Sequence, residues 1–176
     1  MRNRNTLEFI GLWEVLNNPN FNRVQFDTFR NKKYLNILSK YGGVITPDYS
    51  LYRDMPLSMQ IWNIFRSRAL GYYLQSNGIK VVPNVRFSDE RTYDIACAGV
   101  KKNSTIALST YGLMKIKKEK EIFKKGLDYV IRKLTPKTLI IYGTTPYDVF
   151  GKYKLQGIEI LSYESKISKI HKMEAN

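Results

Sequence analysis

Five short runs of aliphatic residues, separated by helix-length segments, constrain this chain more than any other feature. They fall at residues 44–46, 79–83, 104–108, 138–142 and 158–161, and include Val44-Ile45, Val81-Val82 and Leu139-Ile140-Ile141. They lack the alternation of a strand with one wet face, so they read as strands covered on both sides. The segments between them carry helical periodicity. Residues 57–77 place Ile61, Phe65, Ala69 and Tyr72 on one stripe, and residues 118–134 place Ile122, Phe123, Gly126, Val130 and Leu134 on another. Shorter helices are expected at 93–98 and 147–155. Covered strands alternating with helices make a parallel sheet with crossovers. The expected fold is therefore α/β, with a mostly parallel five-stranded sheet, as an open three-layer sandwich or a partial barrel.

A short helical segment is expected ahead of this sheet. In residues 6–16, Phe9, Leu12, Trp13 and Leu16 recur at helical spacing, and residues 26–41 form a second candidate helix ended by Gly42-Gly43. The expected organisation is a helical segment at 1–43, an α/β domain at 44–165 and a basic polar tail at 166–176.

Charge narrows the function. The formal net charge is +14, from 29 Lys and Arg against 15 Asp and Glu. Such an excess points to a polyanion, with nucleic acid foremost. Residues 101–176 hold 16 of the basic and 7 of the acidic side chains. Lys115, Lys117, Lys118, Lys120, Lys124 and Lys125 crowd one short stretch, and Arg2 and Arg4 add charge at the start. On a helix, Lys117, Lys120, Lys124 and Lys125 share an arc opposite Ile122, Phe123 and Gly126, which reads as a phosphate-tracking face. A solvated lysine-rich helix is the plainer reading. No apolar run approaches the ~20 residues of a membrane span, and no secretory signal is visible, so a cytoplasmic location without a membrane partner is expected. With one cysteine, Cys97, and one histidine, His171, there is no disulfide framework and no standard zinc site.

Parallel α/β folds bind ligands at the carboxyl ends of their strands. Here those ends carry Asp48, then Arg86, Asp89, Glu90 and Arg91, with Arg53-Asp54 in the first loop. If these loops converge, Asp48, Asp54 and Asp89 supply carboxylates for Mg²⁺, and the cluster is a candidate catalytic centre for phosphodiester chemistry. Otherwise these neighbours are loop ion pairs, and no cofactor is expected. No glycine-rich phosphate loop is present. Tyr142-Gly143-Thr144-Thr145 and Tyr163 end later strands, and Tyr49, Tyr52, Tyr111 and Tyr147 lie in loops beside charge, able either to stack bases or to cover loop edges.

Two stretches carry resemblances. Arg2-Asn3-Arg4-Asn5-Thr6-Leu7-Glu8-Phe9-Ile10-Gly11-Leu12-Trp13-Glu14, with Asn17-Asn18-Pro19-Asn20-Phe21-Asn22 and Phe26-Asp27-Thr28-Phe29-Arg30, resembles the middle of the KilA-N domain over about residues 1–31. That resemblance implies DNA binding in a phage or mobile element. Val44-Ile45-Thr46-Pro47-Asp48-Tyr49, Arg53-Asp54-Met55-Pro56, Pro83-Asn84-Val85-Arg86 and Phe150-Gly151-Lys152-Tyr153 resemble a domain of unknown function found in phages, plasmids and anaerobic bacteria, over about residues 33–165. It implies a mobile-element context and supplies no chemistry. The expected function is a phage or mobile-element accessory protein that binds nucleic acid, DNA before RNA. The alternatives are a metal-dependent nuclease at the strand-end cluster, and an inhibitor of a host defence complex that meets a nucleic-acid-binding host protein. The sequence does not decide whether the chain is an enzyme.

Overall fold

The computed structural model describes residues 9–11 and 32–164. In chain order these form β1 (Phe9–Gly11), α1 (Lys32–Leu38), β2 (Gly43–Ile45), α2 (Leu57–Ser76), β3 (Val81–Val82), α3 (Glu90–Cys97), β4 (Thr105–Ser109), α4 (Lys117–Leu134), β5 (Thr138–Tyr142), α5 (Tyr147–Leu155) and β6 (Glu159–Tyr163). The fold is α/β, and every strand pairing is parallel. The five expected strands and the four helices among them are all present. They belong to two three-stranded sheets, β1-β2-β3 and β4-β5-β6, where the sequence suggested one sheet. The first is short, with three residues each in β1 and β2 and two in β3.

The chain divides into two compact units, residues 1–49 with 62–84, and residues 50–61 with 85–176. In the first, β1 pairs Phe9 with Gly43 and Ile10 with Val44. The helix expected over 6–16 is therefore corrected at Phe9–Gly11. Its apolar spacing suits a helix, but pairing with a distant strand decides the structure. Residues 6–8 and 12–16 of that expected helix, and residues 26–31 of the one expected at 26–41, lie outside the described residues. Leu38, Val44, Leu70, Leu74 and Ile79 form a buried core beneath Leu35, Tyr73 and Val81.

The expected stripe on α2 is also corrected. Ile61, Phe65 and Tyr72 are exposed, while Gln60, Ile64, Ser67, Leu70 and Leu74 are buried. This helix has apolar residues all round, and hydrogen bonding selects the face. In the first unit, Ser67 Oγ donates to the Pro47 carbonyl at 3.0 Å and shares a hydrogen bond with the Thr46 hydroxyl at 3.0 Å. In the second, Gln60 Nε2 donates to the Met55 carbonyl at 2.8 Å and Gln60 Oε1 accepts from Ser88 Oγ at 2.5 Å. These partners remove the cost of burying amide and hydroxyl groups.

In the second unit β4 and β5 are buried through their centres, and β6 is the more exposed strand. Helix α4 buries Phe123, Gly126, Leu127, Val130, Ile131 and Leu134. Phe87 stacks on Phe123 at 5.7 Å and meets Tyr93 edge-on at 5.4 Å. Strand order follows chain order in both sheets, so neither contains a topological switch point. The ligand edge in this arrangement is the carboxyl ends of successive strands, as in barrels.

Candidate functional site

That edge in the second unit is well built. Beyond the ladder, Thr110 N–H donates to the Tyr142 carbonyl at 3.0 Å and Gly143 N–H to the Tyr163 carbonyl at 2.8 Å. Thr110 Oγ1 donates to the Thr144 carbonyl at 2.7 Å. Gly143 has φ of +121°, and a Cβ there would lie 2.5 Å from Thr110 Oγ1, so this crossing requires glycine.

The strand-to-helix connection after β4 leads into the lysine cluster. Ile116 occupies the N-cap of α4 and offers no side-chain oxygen, so the helix starts without a side-chain cap. The positive end of its dipole therefore adds to the field of the nearby lysines. Lys115, Lys117, Lys118 and Lys125 are exposed. Among the described residues none of these four has an ion-pair partner. The expected arc is corrected at two members. Lys120 is half-buried and pairs with Asp148 at 2.6 Å, and Lys124 pairs with Glu121 at 3.3 Å. The Asp148 carboxyl is held below its ordinary range, first by the Lys120 hydrogen bond. Arg2 and Arg4 lie outside the described residues.

The candidate acidic residues are divided between the units, Asp48 in the first and Asp54, Asp89 and Glu90 in the second. Asp89 is the N-cap of α3, where its carboxylate accepts from Arg91 N–H at 3.2 Å. The same carboxylate takes two guanidinium bonds from Arg91, at 2.9 and 2.8 Å. Those bonds, the side-chain one first, hold its pKa down. Arg91 also donates to the Arg53 carbonyl at 2.8 Å. Glu90 begins the same helix and is exposed. Among the described residues no three His, Cys, Asp or Glu side chains gather into a group able to hold a metal. Of the candidate metal ligands Asp48, Asp54 and Asp89, the last is engaged as a helix cap and by an arginine.

Arg86 and Asp54 do share a surface. They line a pocket of about 410 Å³ in the second unit with Tyr52, Arg53, Phe87 and Glu119. Arg53 is ion-paired with Glu119 there, which cancels charge on both. In the first unit Asp48 lies in the loop after β2, beside Tyr49, whose ring carries the Arg66 guanidinium at 4.0 Å. Burial pushes the Tyr49 hydroxyl pKa up against the opposing effect of Arg66.

The strand-end tyrosines form a feature that the lysine count did not reveal. Tyr142 and Tyr163 are register partners on neighbouring strands, and the Tyr111 ring lies 6.1 Å from that of Tyr142. The signal was present as tyrosine ending two consecutive strand runs.

The structure thus defines a parallel α/β protein with a lysine-bearing, tyrosine-edged sheet end. A family model described as a domain of unknown function (DUF4417) matches residues 15–164, and the chain belongs to that family. The match takes in residues 15–31, which were expected to belong to a KilA-N fragment, and no match to KilA-N supports that expectation. The Gene 1 protein of Mycobacterium phage L5 is 37% identical over 112 residues, covering 64% of this chain and 49% of that protein. The Gene 1 protein of Mycobacterium phage D29 is 37% identical over 106 residues, covering 60% of this chain and 39% of that protein. The matches thus span half or less of these curated relatives. No solved structure matches the chain. Among the described residues no helix is long and apolar enough to cross a membrane.

Proposed function

We propose that this relative of phage proteins binds nucleic acid, DNA before RNA, through the start of α4, as an accessory protein of a phage or mobile element. One observation carries the reading. Lys115, Lys117, Lys118 and Lys125 gather within eleven residues and are exposed and unneutralised among the described residues; Lys40, Lys80, Lys101, Lys102, Lys137 and Lys154 are also exposed without an ion pair but are spread along the chain, whereas Arg53, Arg91, Lys120, Lys124, Lys133 and Lys152 are matched to carboxylates. The net charge of +14 supplies the long-range attraction. The resemblance of residues 1–31 to KilA-N, with Arg2 and Arg4, favours DNA. Contacts of this kind hold phosphates and carry little sequence information. The test is a gel shift with a mixed-sequence duplex. Lys117→Glu, Lys118→Glu and Lys125→Glu together should weaken binding by tenfold or more at low salt. Undiminished binding by a folded triple variant would refute this face. If the wild type binds neither DNA nor RNA, the exposed lysines serve an acidic protein partner.

A further inference from the structure

The chain has 13 tyrosines, and six of the eight in the second unit fall into two groups; the other two, Tyr52 and Tyr147, lie in the first loop and at the start of α5. Some are structural. Tyr93 donates to the Ile122 carbonyl, Tyr129 to Asp94 and Tyr153 to Asp128. Others stand at the carboxyl edge of the sheet with no such partner. Tyr111, Tyr142 and Tyr163 are 47%, 40% and 46% exposed, and their hydroxyls have no hydrogen-bond partner among the described residues. A tyrosine placed for packing normally satisfies its hydroxyl or buries its ring. These rings do neither.

Their backbone is fixed, however. Tyr142 and Tyr163 are register partners in a parallel ladder, so their side chains leave the same face of the sheet. The bonds from Thr110 to Tyr142 and from Gly143 to Tyr163 hold all three strand ends together. The Tyr111 and Tyr142 rings are 6.1 Å apart and inclined at 47°. The chain running on from Tyr111 carries the unpaired lysines. Lys115 is four residues away, at most about 14 Å along the chain.

We infer that Tyr111, Tyr142 and Tyr163 form a stacking platform for the bases of single-stranded nucleic acid, with Lys115, Lys117 and Lys118 holding its phosphates. The inference rests on the nucleic-acid reading above and adds to it a preference for unpaired strands. A duplex hides its base faces, so the rings have nothing to stack on there, whereas every unpaired base presents a π-face. Placed rings beside free cations are how sequence-tolerant single-strand binders combine stacking with charge.

Fluorescence anisotropy with the full chain tests this, using a labelled oligo(dT) strand of about twelve nucleotides and a duplex of similar length. The wild type should bind the single strand more tightly than the duplex. Tyr142→Ala with Tyr163→Ala should lower single-strand affinity by roughly tenfold or more and leave duplex affinity within about twofold. Tyr142→Phe with Tyr163→Phe keeps the stacking faces and should bind both ligands as the wild type does, which separates ring loss from general damage. Lys117→Glu with Lys118→Glu should weaken both ligands. If the alanine variant binds both ligands like the wild type, the platform is refuted while the charge reading stands. If the wild type binds neither ligand, nor an RNA strand of the same length, both readings fall.

Discussion

Gly126→Ala offers a test of packing in which two ordinary effects have opposite signs. Residue 126 lies within α4, where alanine is favoured over glycine by about 1 kcal/mol. A Cβ at this position would meet three ring atoms of Phe87 at 2.2, 2.6 and 2.7 Å. Ordinary carbon contacts begin near 3.5 Å, so ring or helix must move by about an ångström. The ring has little room, being 9% exposed, stacked on Phe123 and edge-on to Tyr93. Overpacking of this kind costs about 1–3 kcal/mol, here toward the upper end. Net destabilisation should be about 1–2 kcal/mol, which lowers Tm by roughly 2–8 °C for a chain of this size. Thermal melts followed by circular dichroism measure it, with Phe87→Leu and the double variant completing a cycle. The double variant should be less destabilised than the sum of the singles. A rise in Tm for Gly126→Ala would refute the contact between α4 and Phe87.

Other outcomes follow from the same structure. Gly143→Ala should destabilise by about 1–3 kcal/mol, because alanine is strained at φ of +121° and its methyl meets Thr110; an unchanged urea midpoint would contradict this. Asp89→Ala should cost about 1 kcal/mol through loss of the α3 cap, whereas Asp89→Asn keeps a capping oxygen and should cost less. Equal losses in urea titrations would argue against capping. Asp89 and Asp128 also predict acid sensitivity. Asp89 is held below its ordinary pKa first by the Arg91 hydrogen bond, and Asp128 by Lys152 and Tyr153 against the upward push of burial. Their folded pKa values lie below the unfolded ones, so their contribution is present above the unfolded value of about 4 and is lost as pH falls through the folded values. Tm should fall below about pH 4 and fall less in Asp128→Asn; a Tm independent of pH down to 3 would contradict the linkage.

The fold was more legible than the site, for physical reasons. Runs such as Leu139-Ile140-Ile141 are buried on both faces, and that burial is written in consecutive residues. The strand at Phe9–Gly11 was hidden because its partner at Gly43–Ile45 is over thirty residues away and its spacing also suits a helix. On α2 the buried face was chosen by Gln60 and Ser67, whose partners are loop atoms that no periodicity reports. The same holds for charge. Lys120 and Asp148 are 28 residues apart and Arg53 and Glu119 are 66 apart, so the sequence counted cations that the fold neutralises. The exposed lysines were legible as a cluster. The tyrosine edge needed the register of β5 and β6 to appear.

The central claim, that the exposed lysines at the start of α4 hold nucleic-acid phosphates, is tested most directly by the salt dependence of binding. Duplex affinity measured from low to moderate salt should give a linear log–log plot with a slope near −0.9 for each phosphate engaged. Four lysines engaging four phosphates predict a slope of about −3 to −4. Lys117→Glu, Lys118→Glu and Lys125→Glu together should flatten it by about three units. A wild-type slope near zero, or a slope unchanged in the folded triple variant, would contradict the account.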